Sequence, residues 1–511
     1  MLVSRVTDIR ERPTRNLLVL GTVLGGLVAF LFNGMSGEIL RWYGKHSANT
    51  VIYGPAGPQF YVATTGNDVN RGTSTSAPWR TIQKAMNSAR PGSTVNIMAG
   101  TYHERLTMGV SGTSGNYITF QPYNFSVPDA GCGGYTGVPC GGDQVILDYA
   151  YLGTVSDGTP FLRMAGKSYI RVQGLTFQNF TTKEVNYVLN QGVRVDGRSN
   201  YIEFKYNKML NNKETGPNTG CCALAHIRIW GPASHVWFYG NELGNLVTVS
   251  SEALTGDAGA RYFTVENNWI HDTDQIAIDA HGGTNNYTIR GNKLEYISIK
   301  RDGTAWYNNP SVAIYNDGGN TGVIERNFVS HAGVGFQALS EPGQPATHDV
   351  TIRNNVAEYC QKGIVLGTWY SNKDGSSIYN LTAFNNTFYG NIQGVVIRPM
   401  VSLTVAWKNN IFANNIEAYV NTLNWNPGNV DYNLYSGDLH FGRGRGPGVH
   451  VLTSDPLFVN ASAGNFSLQP TSPAINAGDP STSSFAVGAV DLAGNVRILG
   501  GRIDIGAYEA R

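Results

Sequence analysis

Four stretches decide the fold: FYGNEL at 238–243, VENNWI at 265–270, IRGNKL at 289–294 and IERNFV at 324–329. Each places an apolar residue three before an Asn and another two after it. The same frame recurs as FKYNKM at 204–209, IRNNVA at 352–357, AFNNTF at 383–388 and WKNNIF at 407–412. The eight asparagines, Asn207, Asn241, Asn268, Asn292, Asn327, Asn355, Asn386 and Asn410, are spaced by 34, 27, 24, 35, 28, 31 and 24 residues. A floor of 24 with irregular excess fits one turn of a coil made of short strands, with loops inserted. The flanking segments alternate apolar and polar at period 2, which suits strands and excludes the 3.6-residue stripe of helical repeats. Repetition of this kind predicts a solenoid whose rungs stack about 4.8 Å apart, so eight rungs span roughly 40 Å. The Asn is expected at the bend between strands, tolerating a left-handed backbone and stacking its amide on the Asn of the next rung.

Composition agrees. The 511 residues include 62 Gly, and the chain is rich in Asn, as turn-dense β-structure requires. Charged residues make up only 14% and balance to +1, which argues against a nucleic-acid partner. Apolar residues at 41% and aromatics at 11% exclude disorder. Five cysteines leave at least one unpaired. Cys132 and Cys140 close a short Gly-rich loop and could pair. Cys221, Cys222 and Cys360 lack zinc spacing and read as buried thiols.

The N-terminus carries an address. Arg5, Arg10, Arg12 and Arg15 precede an uncharged apolar run from Leu17 to Phe32. This predicts export, through either an uncleaved membrane-anchor helix or a cleaved signal peptide. The expected organisation is a tail and anchor over 1–33, a linker over 34–58, a parallel β-helix over 59–430 and a β-rich cap over 431–511.

These repeats resemble the pectin-lyase-like superfamily of right-handed parallel β-helices. The opening FYVATTGND at 60–68, PWRTIQKA at 78–85 and AGTYHE at 99–104 strengthens the resemblance. It implies an N-terminal cap in which Thr81 to Ala89 form an amphipathic helix over the open end of the coil. SPAINAGD at 472–479, DLAGNVR at 491–497 and RIDIGAYE at 502–509 resemble the choice-of-anchor Q module found at the C-terminus of β-helix proteins. The resemblance implies a carbohydrate-active enzyme working on a sheet face, and a monomer closed at both ends.

A second strand follows each Asn turn: VRVD at 193–196, IRIW at 227–230, VTVS at 247–250, IAIDAH at 276–281, VAIYND at 312–317, VGFQ at 334–337, IVLG at 364–367 and VVIR at 395–398. Aligned by their apolar members, they predict an outward column of Asp196, Trp230, Ser250, Asp279, Tyr315, Gln337, Gly367 and Arg398. Beside it lie Arg194 and Arg228 on one side, and Glu252, His281, Asp317 and Trp369 on the other. Aromatics that stack on sugar rings and polar groups that bond hydroxyls suit a glycan groove. Trp230, Tyr315, Trp369, Arg194, Arg398 and Glu341 are the expected substrate contacts.

Two chemistries fit. As a polysaccharide lyase, slightly favoured through the resemblance, the protein would use Asp272, Asp274, Asp279 and Asp317 to hold Ca²⁺ on a uronate. Arg228 or Lys300 would then abstract the α proton. As an inverting glycoside hydrolase it would use Asp279 and Asp317 as acid and base, about 8 Å apart at Cβ, with His281 tuning one of them. A non-catalytic surface adhesin or glycan-binding protein is the alternative outside enzymes, and would need only the aromatics.

Overall fold

The computed structural model describes residues 19–23, 26–30 and 57–511, except 128–130, 184–189, 217–223, 250, 309, 342, 368–376, 399–401, 422–429 and 438–447. Trp369, Ser250, Cys221 and Cys222 therefore lie outside the described residues. Contacts divide the chain into two compact units, residues 1–56 and 57–511.

Within the first unit, Val19–Val23 and Gly26–Phe30 pair as two antiparallel strands where the anchor helix was expected. Gly21 and Gly26, with three valines in the run, weaken helix propensity there. No helix among the described residues is long and apolar enough to cross a membrane.

The second unit is a parallel β-helix. Three sheets of 13, 12 and 11 strands run its length, and every neighbouring pair within them is parallel. One turn of the coil takes Arg261–Glu266 in the first sheet, Trp269–Thr273 in the second and Ile276–His281 in the third. The next turn adds one strand to each sheet in register, pairing Ile278 with Ile314 and His281 with Asp317. Inward Val, Ile, Leu and Phe fill the coil, with Phe204 stacked on Phe238 at 4.8 Å. The helix Ile82–Ser88, started by the Thr81 hydroxyl accepting from Lys84 N, packs Ile82, Ala85 and Met86 into this core.

The asparagines form the expected ladder. From Asn207 to Asn410 each side-chain amide donates to the Oδ1 of the next rung, as in Asn268 to Asn292 at 2.9 Å and Asn292 to Asn327 at 2.9 Å. That same Oδ1 accepts the preceding Asn backbone N–H at 3.0 Å. The ladder runs one rung further than expected, to Asn433. The left-handed backbone, however, belongs to the residue before each ladder Asn: Tyr206, Gly240, Asn267, Gly291, Arg326, Asn354, Asn385 and Asn409 all have φ between 55° and 65°. A ladder Asn must aim its amide inward along the stack, so its neighbour takes the bend.

This division of labour explains the NN doublets at 354–355, 385–386 and 409–410. The second Asn of each serves the ladder; the first holds the C-terminal segment. Asn354 Nδ2 donates to Val487 O, and its Oδ1 accepts from Arg497. Asn385 Nδ2 donates to Asp504 O, and Asn409 Oδ1 accepts from Asp479 N. Arg497, wholly buried, also pairs with Glu509 at 3.3 Å. Cys132 and Cys140 form a disulfide, and Cys360 is a buried free thiol.

Candidate active site on the third sheet

The polar face lies on five consecutive strands of the third sheet: Leu224–Trp230, Glu252–Asp257, Ile276–His281, Val312–Asp317 and Val334–Leu339. Ile227, Ile229, Leu254, Ile278, Ala280 and Ile314 point inward, so the residues between them face out at period 2.

Register corrects the expected columns. Arg228 pairs with Thr255, Thr255 with Asp279, and Asp279 with Tyr315 and then Gln337. Two residues on, Trp230 pairs with Asp257, and His281 with Asp317. Asp196 and Trp230 therefore share a column with Asp257 and His281, not with Asp279. The strand of this rung is Glu252–Asp257 rather than 247–250, because Val247–Val249 is taken into the preceding turn, where Asp274 accepts from the backbone N–H groups of Thr248 and Val249. Asp257, absent from the expected site, is at its centre. Its signal was legible: it follows Trp230 by 27 residues, as Asn268 follows Asn241, and precedes His281 by 24, as Asn268 precedes Asn292.

Asp257 binds two basic side chains. Its Oδ2 takes the Arg228 guanidinium at 2.9 Å, and its Oδ1 accepts His281 Nδ1–H at 2.7 Å. His281 Nε2 lies 3.4 Å from Asp317 Oδ2, so the imidazole bridges two carboxyl groups. Burial disfavours its charge, but Asp257 and Asp317 together raise its pKa above the ordinary histidine value. Burial likewise opposes ionisation of Asp257, yet His281 and Arg228 hold its pKa below the usual carboxylate value.

Asp317 is 1% exposed, and its Oδ1 accepts from Glu341 N at 2.6 Å. Desolvation first, then the Glu341 charge, push its pKa up to about 7 against the opposing pull of His281. Underneath, the buried Asn316 binds Tyr287 OH, Gly319 O and Thr347, fixing the turn that presents Asp317. Gly318 at φ +71° is needed in that turn, because a Cβ there would meet Pro345 O at 2.7 Å.

Asp279 is buried, and its Oδ1 has no hydrogen-bond partner. Burial, then Glu252, Asp317, Glu341 and Asp257, raise its pKa well above the ordinary carboxyl value. The same setting favours its protonated form. Its two-residue, one-strand offset from Asp317 is the one the sequence implied, about 8 Å between Cβ atoms. The half-exposed Glu252, which accepts from Ser251 Oγ, and Glu341 flank this pair.

Other expected residues fall elsewhere. Trp230 is approached by Arg194 and Arg228, whose guanidinium carbons lie 5.4 and 5.0 Å from its ring centre. Arg194 pairs with Asp196. Tyr315 is no stacking platform: its ring is buried with Val312, Val334, Leu339, Val365 and Val396, and its hydroxyl donates to Glu341 at 2.8 Å. Arg398 lies three strands beyond Asp317, buried in a desolvated setting that lowers its pKa to about 10. Lys300 sits on an exposed loop with its ammonium over Trp306 at 5.1 Å.

The four aspartates expected to ligate Ca²⁺ do not come together. Asp272 belongs to the second sheet, bound to Arg301 and to His271, each at 2.6 Å. Asp274 spends its oxygens on Thr248 N, Thr248 Oγ1, Val249 N and Tyr307 OH. Among the described residues no group of three or more His, Cys, Asp or Glu is arranged to hold a metal ion. The donor set does not fit the ion.

A family described as a protein of unknown function, DUF1565, matches residues 64–108. The uncharacterized protein YwoF of Bacillus subtilis is 27% identical over 456 residues, which cover 82% of this chain and 92% of YwoF. Among solved structures, pectate lyase Pel9A is similar at TM-score 0.49 and 15% identity, over 89% of this chain and 96% of its own. The GH136 lacto-N-biosidase from Eubacterium ramulus reaches TM-score 0.42 at 12% identity, covering 78% of this chain and 68% of its own. An alginate lyase from Paenibacillus sp. str. FPU-7 reaches 0.41 at 13%, covering 63% and 95%. At these identities the reaction has to be read from the site itself.

Proposed function

We propose that this face cleaves a glycan by hydrolysis, with Asp279 as the proton donor and Asp317 as the general base. The observation that carries the reading is the pair itself: two outward carboxyl groups one rung and two residues apart, both shifted upward in pKa by burial and by neighbouring carboxylates, Glu341 foremost for Asp317 and Glu252 for Asp279. Inverting glycosidases hold such a pair roughly 6.5–9.5 Å apart, leaving room for the attacking water on the far side of the sugar. Asp279 keeps its proton to neutralise the leaving oxygen. Asp317, titrating near neutrality, can take a proton from water. Through His281, Asp257 places a positive group against Asp317 and keeps the base ionisable.

Elimination is less well served. Arg228 is held on Asp257 at 2.9 Å, and that ion pair commits the guanidinium elsewhere than to an α proton. Lys300 is occupied by Trp306.

Export of the protein is part of the same reading. It rests on the basic flank before Leu17–Phe32 and on the Cys132–Cys140 disulfide, which suits an oxidising compartment.

The test follows new reducing ends and ultraviolet absorbance of unsaturated products together, on neutral and acidic polysaccharides. Reducing ends without unsaturation, lost in both Asp279→Asn and Asp317→Asn, are expected. Unsaturated products would overturn hydrolysis. Glycan binding without cleavage would favour the adhesin.

A further inference from the structure

The acid–base pair sits in more negative charge than two carboxyl groups supply. Glu252, Asp257, Asp279, Asp317 and Glu341 converge from three adjacent strands and the loop that follows the fourth. The ionisation of Asp279 is opposed by all four of the others. Only two cations meet this cluster in the described contacts, and both are engaged by acids within it. Arg228 is bound to Asp257, and His281 spans Asp257 and Asp317. The next cations along the sheet, Arg163 and Arg194, both bind Asp196. Lys300 is held over Trp306; Lys362, two strands beyond that of Asp317, pairs with Val334 at the opposite strand end from Leu339, the register partner of Asp317; and Arg398 is three strands beyond Asp317.

Among the described residues, a sugar in contact with both Asp279 and Asp317 would find acceptors and acids for its hydroxyls, but no guanidinium or ammonium that is not already committed to an acid of the cluster. We propose that the sugar bound at the point of cleavage is neutral, so that the substrate is a hydroxyl-bearing glycan and not a uronate polymer at that position. This inference rests on the hydrolytic reading above and adds the substrate class to it. One further unit charge about 6 Å from an ionised carboxylate, at an effective dielectric near 20, costs on the order of a hundredfold in binding or rate. Glu252 and Glu341, half-exposed at the rim, are the groups a sugar carboxylate would meet first.

The experiment uses the full chain and chemically matched substrates. A neutral polysaccharide panel of xylan, galactan, mannan and β-glucan is compared with polygalacturonate and with its carboxyl-reduced form, which keeps the linkage and loses the charge. Any neutral glycan that is cleaved is also offered after oxidation of its primary hydroxyls to carboxylates. The expected result is reducing ends from a neutral substrate, falling on the order of a hundredfold for its oxidised counterpart. In Glu252→Gln and Glu341→Gln the oxidised-to-neutral rate ratio should rise about tenfold, a readout that a general loss of activity would not move. Cleavage of polygalacturonate with refusal of its carboxyl-reduced form would overturn the neutral subsite while leaving glycan cleavage standing. An unchanged ratio in both Gln variants would also overturn it. Failure to cleave any of these glycans, by folded protein, would overturn the hydrolytic reading and this inference with it.

Discussion

Replacing Asp317 by Asn should inactivate the protein and make it more resistant to unfolding in mildly alkaline solution. Asn keeps the shape and both contacts: its Oδ1 can accept from Glu341 N, and its Nδ2 can donate to His281 Nε2 while Nδ1–H stays on Asp257. What disappears is a buried charge. Asp317 has a pKa of about 7 in the folded chain against 3.8 when unperturbed. Because the folded state holds this proton more tightly, the contribution of Asp317 to stability is greatest below pH 4 and is lost as pH rises towards 7. Between pH 5 and 8 roughly two pKa units of that difference are traversed, worth about 2–3 kcal/mol at 1.36 kcal/mol per unit. Relaxation of His281 would reduce this, and about 1 kcal/mol is a fair lower expectation. Guanidinium unfolding of both proteins at pH 5 and pH 8 measures it. The wild-type protein should lose more stability across that interval than the variant. Equal losses, or a variant weaker at both pH values, would refute the assignment of Asp317 as a buried, destabilised carboxylate.

Hydrolysis by the wild-type protein should rise with pH through about 7, as Asp317 ionises, and fall only where Asp279 finally loses its proton; a pH–rate profile checks both limbs. His281→Asn removes the positive neighbour that lowers the pKa of Asp317, so the lower limb should move to higher pH. A chelator should leave activity unchanged, since Asp272 and Asp274 are committed to Arg301, His271 and the 248–249 backbone; loss of activity that Ca²⁺ restores would contradict this. Asn292→Ala strands the backbone and amide donors of Asn268 inside the coil and should cost about 2–4 kcal/mol by denaturant unfolding. Arg497→Met leaves Glu509 buried without its partner, costing roughly 3–5 kcal/mol, and should expose the C-terminal segment to limited proteolysis.

How far the site could be read from the chain depended on where the repeat was regular. Asp279, His281 and Asp317 follow ladder asparagines on rungs whose alternation is clean, and their relative offset was legible. Asp257 was overlooked despite its regular spacing from Trp230 and His281, because VTVS at 247–250 imitates the strand pattern that Glu252–Asp257 supplies. Tyr315 looked like a sugar platform because alternation separates inside from outside but cannot say whether an outward ring is exposed. Only the apolar neighbours from adjacent strands show it covered. The calcium set failed for a related reason: Asp272 and Asp274 are close to Asp279 along the chain, but a bend between sheets turns Asp272 onto a different face.

The sequence by itself determined the coil, its inward residues and its asparagine ladder, because these repeat at every rung and each copy reinforces the same local geometry. It also determined Asp279, His281 and Asp317 as groups of the outer face, though not Asp257. Tertiary structure alone decided which of them touch, since contact between rungs depends on register across 24 to 36 residues of intervening chain with loops of unequal length. It alone decided the charge states as well. A carboxyl at 3.8 becomes one near 7 only when other carboxylates and a dry protein surface are brought around it, and composition carries no record of that.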